Sequence, residues 1–149
     1  MKKIISAIIA SLLALSSFSV FADSSEILIN GENAVIGEGM GSVVNQNDRT
    51  FVPIRFALEY FGYEVTWSSE DRLVLGRNAD GNVFVMQVGS PRLIFNSGNG
   101  ASTTVDMDVS PFLNETEGRT YIPLRFLAQV LGYNVGYNEA SSTVTLDKK

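Results

Sequence analysis

Apolar positions recur along this chain on two scales. In the stretch RTFVPIRFALEYFGYEVTW, Arg49 to Trp67, the strand formers Thr50, Phe51 and Val52 run into Pro53. Ile54, Ala57, Leu58 and Phe61 then fall at i, i+3, i+4 and i+7. That spacing places all four on one face of a helix. Seventy residues later RTYIPLRFLAQVLGYNVGY, Arg119 to Tyr137, keeps the order: Thr120, Tyr121, Ile122, then Pro123, then Leu124, Leu127, Ala128 and Leu131. Proline is tolerated in the first turn of a helix, where its missing N–H would have no intrahelical partner, so the helices are expected to begin near Pro53 and Pro123. Gly62 and Gly132 stand where a left-handed residue closes a helix, followed by Tyr63 or Tyr133 as the apolar residue of the cap. Alternation in Glu64-Val65-Thr66-Trp67 and Asn134-Val135-Gly136-Tyr137 predicts half-buried strands.

The other apolar runs are short and β-like. Glu26 to Ile29 and Glu32 to Ile36 flank Asn30-Gly31, and Arg72 to Arg77 and Asn82 to Val88 flank Asp80-Gly81, both hairpin signals. Arg92 to Phe95 and Thr143 to Leu146 add strands, while GEGMGS (37–42) and NSGNGAS (96–102) read as surface loops. One helix with a few strands is too small to bury its own apolar face, so two copies are expected to share one core. The expected fold class is therefore α+β: two fused strand-helix-strand repeats, about 26–77 and 82–146, with short antiparallel β-sheets packed around two helices.

The first 22 residues read differently. MKKIISAIIASLLALSSFSVFA has a basic start, an apolar run from Ile4 to about Leu15 and a small-residue exit, the layout of a secretory signal peptide. Cleavage is expected after Ala22, leaving a single domain, 23–149, that is secreted to the extracellular space or cell envelope, with no membrane insertion. Losing Lys2 and Lys3 and no acid takes the formal net charge from −5 to −7. Such a charge argues against nucleic acid as a partner. The sequence has no Cys and no His, which removes disulfides, thiolate metal sites, imidazole-ligated copper or zinc and the nucleophilic triads and dyads.

The doubled Arg-Thr-aromatic-aliphatic-Pro-aliphatic-Arg, each with Gly nine residues after its Pro, resembles the copper amine oxidase N-terminal domain-like family, also called stalk domains. The resemblance runs from about Ile27 to Leu146. It implies an α+β module of secreted or surface-attached bacterial proteins, usually beside other domains, and it does not imply amine oxidation. In amine oxidases the copper and the modified tyrosine lie in a separate catalytic domain. Here no histidine exists to bind copper and no Asn-Tyr-Asp or Asn-Tyr-Glu precursor occurs. The chain closes at Lys149 without a sorting signal, so retention at a surface is expected to be noncovalent.

Candidate site residues carry two readings each. Arg55 and Arg125 stand early in the two helices, the unfavourable end for a cation. They are either structural, with Glu59 at i+4 from Arg55, or a pair of guanidinium groups that clamp an acidic ligand. Phe56 with Tyr60, and Phe126 with Val130, give each helix a second apolar flank, expected to be core and otherwise a partner groove. Trp67 and Tyr137, with Tyr63 and Tyr133, are strand and cap residues or a sugar-stacking platform. The acids Asp106, Asp108, Glu115 and Glu117 read as a solvated loop rather than a calcium site or an acid/base pair. Pro53, Gly62, Pro123 and Gly132 are assigned to the repeat itself. The expected function is a secreted, non-catalytic binding or structural module at the bacterial surface, without metal or cofactor, whose partner is a cell-wall glycan or another secreted protein. A small carboxylate-dependent glycan hydrolase, or a regulator of a secreted enzyme, is the alternative.

Overall fold

The computed structural model describes residues 26–149; the expected signal peptide, residues 1–22, lies outside the described residues. At the centre β4 (Arg49–Pro53) and β11 (Arg119–Pro123) run antiparallel, with Val52 opposite Ile122, Phe51 opposite Pro123 and Tyr121 opposite Pro53. Val52 thus faces the residue at its own place in the second stretch, while Phe51 and Tyr121 each face the other stretch's proline. β3 (Val44–Gln46) and β10 (Phe112–Asn114) flank the pair on either side. β3 reaches β4 through the tight turn Asn47-Asp48, whose φ values of 51° and 57° suit Asn and Asp.

The central strands are covered on both faces. Val52 and Ile122, fully buried, belong to the main core beneath the helices. Phe51 and Tyr121 alternate to the other face, where Phe112 stacks on Tyr121 at 5.2 Å and 7° and meets Phe51 edge-on at 5.1 Å. The GEGMGS segment is largely exposed, as expected of a surface connection, and its Gly41 presses against Pro53 and Tyr121. A Cβ on Gly41 would lie 2.9 Å from both Pro53 Cγ and Tyr121 Oη, and its φ is 99°, so only glycine fits there.

Each central strand runs directly into a two-turn helix: α1 (Ile54–Tyr60) after β4 and α2 (Leu124–Val130) after β11. Pro53 and Pro123 are the N-caps, not the first helical residues as expected. Their pairing within the sheet keeps them extended, with ψ of 125° and 117°. Ile54, Ala57 and Leu58 in α1, and Leu124, Leu127 and Ala128 in α2, form the buried stripe, and both helices pack across β4 and β11. The helix ends match the expectation. Gly62 (φ 79°) donates to the Glu59 carbonyl at 2.9 Å and Tyr63 to the Leu58 carbonyl at 2.9 Å, while Gly132 (φ 80°) donates to the Gln129 carbonyl at 3.2 Å. A Cβ at either glycine would have no atom within 4 Å, so alanine there meets backbone strain alone. Gly62→Ala and Gly132→Ala should each cost about 1 kcal/mol in thermal unfolding; unchanged melts in both would contradict the cap geometry.

Two outer sheets complete the molecule. β5 (Glu64–Ser68), β6 (Leu73–Arg77), β7 (Val83–Gln87), β8 (Arg92–Asn96) and β9 (Ser102–Asp106) form an antiparallel meander. β12 (Tyr133–Asn138) and β13 (Thr143–Lys148) form the matching hairpin, but their sheet is completed by β1 (Glu26–Ile29) and β2 (Glu32–Asn33). This corrects two expectations. The chain's first hairpin joins the second strand-helix-strand unit rather than the first, and it does so in parallel, with Ile27 beside Val144 and Ile29 beside Leu146. Likewise β7 continues the sheet of β5 and β6, so no boundary falls between 77 and 82. The reason is packing: all four of those β1 and β13 side chains are buried, and the pairing closes the core between the two ends of the described chain.

Candidate functional site

Two clefts open where elements of one half meet the other half's central hairpin. The first, about 470 Å³, has Val65 and Trp67 of β5 and Val74 of β6 as its floor. One wall is Ile54 and Arg55 at the start of α1; the other is Leu113, Arg119 and Thr120 from the β10–β11 hairpin. The second, about 570 Å³, repeats this plan with Val135, Tyr137 and Val144 as floor. Leu124 and Arg125 of α2 form one wall, and Arg49, Thr50 and the β3–β4 turn form the other. The fold dictates this pairing, because antiparallel contact of β4 with β11 carries each Arg-Thr to the opposite half's helix.

Four arginines thus line the clefts, and they divide by what holds them. Arg119 donates to the carbonyls of Gly39 and, at 3.3 Å, of Glu117, whose carboxylate accepts from Tyr121 Oη at 2.6 Å. Burial, followed by that bond to Glu117, pushes the Tyr121 phenol up. Arg49 is ion-paired with Asp108, its Nε 3.1 and 3.2 Å from the two carboxylate oxygens, and also donates to the Asp48 carbonyl at 3.0 Å. The hydrogen bonds from Arg49 hold the Asp108 carboxyl below the usual carboxylate range, against the opposing effect of burial. These two arginines are fixed by the fold. Arg55 is different: its side chain is 60% exposed and its partner is Glu59 at 3.6 Å, a surface pair worth roughly 0–1 kcal/mol. Arg125 is exposed as well, and it adds to the positive field on Asp108.

Of the residues singled out in the sequence, the fold brings Arg55 together with Trp67, and Arg125 together with Tyr137. It does not assemble an aromatic platform from all four candidates. Tyr63 is buried edge-on against Phe84 at 5.0 Å, and Tyr133 packs on Phe61 at 5.2 Å. Phe56 is in the core, Phe126 is half-buried against it, and Tyr60 stays 43% exposed beside Phe56 and Phe61. The acids expected to share one loop are dispersed onto separate partners, Asp106 on Arg92, Asp108 on Arg49 and Glu117 on Tyr121. Among the described residues no group of three or more acids, Cys or His is placed to hold a metal ion. Arg49, Thr50, Arg119 and Thr120 escaped the sequence reading as site residues. The signal was present in the Arg-Thr that opens each of the two matching stretches, but its place in the cleft beside the other stretch's helix depends on the β4–β11 pairing.

The family model described as copper amine oxidase N-terminal domain covers residues 28–146. No curated protein and no solved structure matches.

Proposed function

The chain belongs to the copper amine oxidase N-terminal domain family, and from that premise we propose that it is a secreted, non-catalytic binding module that works at the cell surface or envelope. Domains of this family are non-catalytic stalk-type modules, and the catalytic part of copper amine oxidases lies in other domains. The residues of this chain do not fit copper. With no His and no Cys, the imidazole and thiolate donors are missing, and no group of three or more acids gathers among the described residues in their place.

The module consists of two fused strand-helix-strand repeats, β4-α1-β5-β6 and β11-α2-β12-β13, completed by different strands. Supporting this reading are the pairing of Val52 with Ile122 and the matching hairpins. β5–β6 and β12–β13 each turn through four residues whose last, Arg72 or Ser142, has φ of 53° or 50°. The observation that carries the binding role is the recurrence of one cleft plan in both halves, each with an exposed arginine and an open aromatic ring. The signal segment supports export, with residues 23–149 as the mature domain.

The test is co-sedimentation of the purified mature chain with insoluble cell-wall material, alongside assays for amine oxidation and for release of sugar reducing ends. The chain should sediment with the wall fraction, show neither activity and retain no copper after dialysis against a chelator. One equivalent of retained copper, or turnover in either assay, would overturn the non-catalytic reading. A chain left wholly in the supernatant would overturn the surface-binding role.

A further inference from the structure

We propose that each cleft binds a sugar ring bearing a carboxylate, the ring lying against Trp67 or Tyr137 and the carboxylate meeting Arg55 or Arg125. This deepens the binding role above and rests on it. Four observations converge on that ligand class.

First, the aromatic rings are left open although their cross-strand partners are buried. Trp67 is 36% and Tyr137 53% exposed, whereas Val74 and Val144 beside them on the neighbouring strands are 2% and 3% exposed. A flat, half-desolvated ring is a surface against which the apolar face of a pyranose packs. Second, the facing guanidinium groups are not consumed by the fold. Arg55 has a long surface pair with Glu59, in contrast to Arg49 and Arg119, which are tied to Asp108 and to backbone carbonyls. An exposed guanidinium is a forked donor matched to a carboxylate.

Third, the arginine and aromatic pairing recurs in both clefts while adjoining positions have diverged. Glu59 answers to Gln129, Tyr60 to Val130 and Phe61 to Leu131. Arg125 is thus kept although the acid that pairs with Arg55 is not. Fourth, the wall of the larger cleft includes Gln46 and Asn47, whose side-chain amides offer both donors and acceptors to hydroxyl and acetamido groups. The formal net charge, −5 for the whole chain and −7 without Lys2 and Lys3, narrows the class further. It opposes a densely charged polyanion, so the fitting glycan carries its carboxylates between neutral rings.

Trp67 is the sequence's only tryptophan, so selective tryptophan excitation reads the smaller cleft alone. The mature chain is titrated with two carboxylated disaccharides, N-acetylmuramic acid joined to N-acetylglucosamine and glucuronic acid joined to N-acetylglucosamine. Neutral N,N′-diacetylchitobiose and an acidic hexapeptide serve as comparisons. A saturable emission change with either carboxylated sugar, at least about tenfold tighter than with chitobiose or the peptide, supports the proposal, and the arm that responds identifies the source of the carboxylate. Arg55→Gln should reduce that preference about tenfold at an unchanged melting temperature, and Arg55→Lys should restore part of it. Arg125→Gln should leave the Trp67 response intact while calorimetric stoichiometry falls from two toward one. Equal affinity for chitobiose, stronger binding of the peptide, a preference that survives Arg55→Gln, or no saturable response overturns the proposal. If the chain still sediments with wall material while Trp67 stays silent, the surface-binding role stands and this site does not.

Discussion

Phe56→Ala should cost about 3–5 kcal/mol of unfolding free energy, and Phe126→Ala clearly less, about 1–3 kcal/mol. The two residues occupy the same place in α1 and α2, but they are not equally covered. Phe56 is 7% exposed, with the Tyr60 ring centroid 6.2 Å away and Tyr60 in turn packed on Phe61. At the matching positions α2 and its cap have Val130 and Leu131, which shield less, and Phe126 is half-buried. Emptying the better-covered site leaves the larger cavity, and cavity size sets the cost of such truncations. Urea denaturation of both variants decides it, because a change of midpoint at constant slope reads stability alone. Losses below about 1 kcal/mol in both would mean that these rings line a partner groove rather than a core.

What the sequence made legible was what periodicity and backbone chemistry encode locally. The two helices, the positive φ at Gly62 and Gly132, and the Asn30-Gly31 turn each rest on residues within a few positions of one another. The strands that went unread are β3, β9 and β10. Val44-Asn45-Gln46 and Ser102 to Asp106 are largely polar, and they form strands because a partner supplies their hydrogen bonds, not because their own pattern demands it. The parallel pairing of β1 with β13 joins residues more than a hundred positions apart, and nothing local announces it. The site divides in the same way. Arg55, Arg125, Trp67 and Tyr137 stood out as residue types, but their grouping into two clefts follows from the β4–β11 pairing, which brings Arg119 to α1's side and Arg49 to α2's.

Replacing Gly76 by Leu should be strongly destabilising alone, by about 3 kcal/mol or more, and much less so when combined with Leu58→Ala. A Cβ on Gly76 would stand 2.9 Å from Leu58 Cδ1, so β6 has room for the α1 leucine only because it has no side chain there. No positive φ is involved, so the obstacle is volume, not backbone conformation. The other half solves the same contact in reverse. Position 58 of α1 answers to Ala128 of α2, and Gly76 opposite Val65 answers to Leu146 opposite Val135. Leu146 and Ala128 are both fully buried, so the bulk sits on the strand in one half and on the helix in the other. Leu58→Ala alone opens a cavity and should cost about 2–5 kcal/mol. Together the two changes import the second half's arrangement into the first, and the double variant should recover about 2 kcal/mol or more relative to the sum of the singles. A double-mutant cycle by urea denaturation measures this directly. Additivity within about 0.5 kcal/mol would mean that Leu58 and Gly76 do not share one packing site, and that the exchange of large and small residues between the halves has no energetic content.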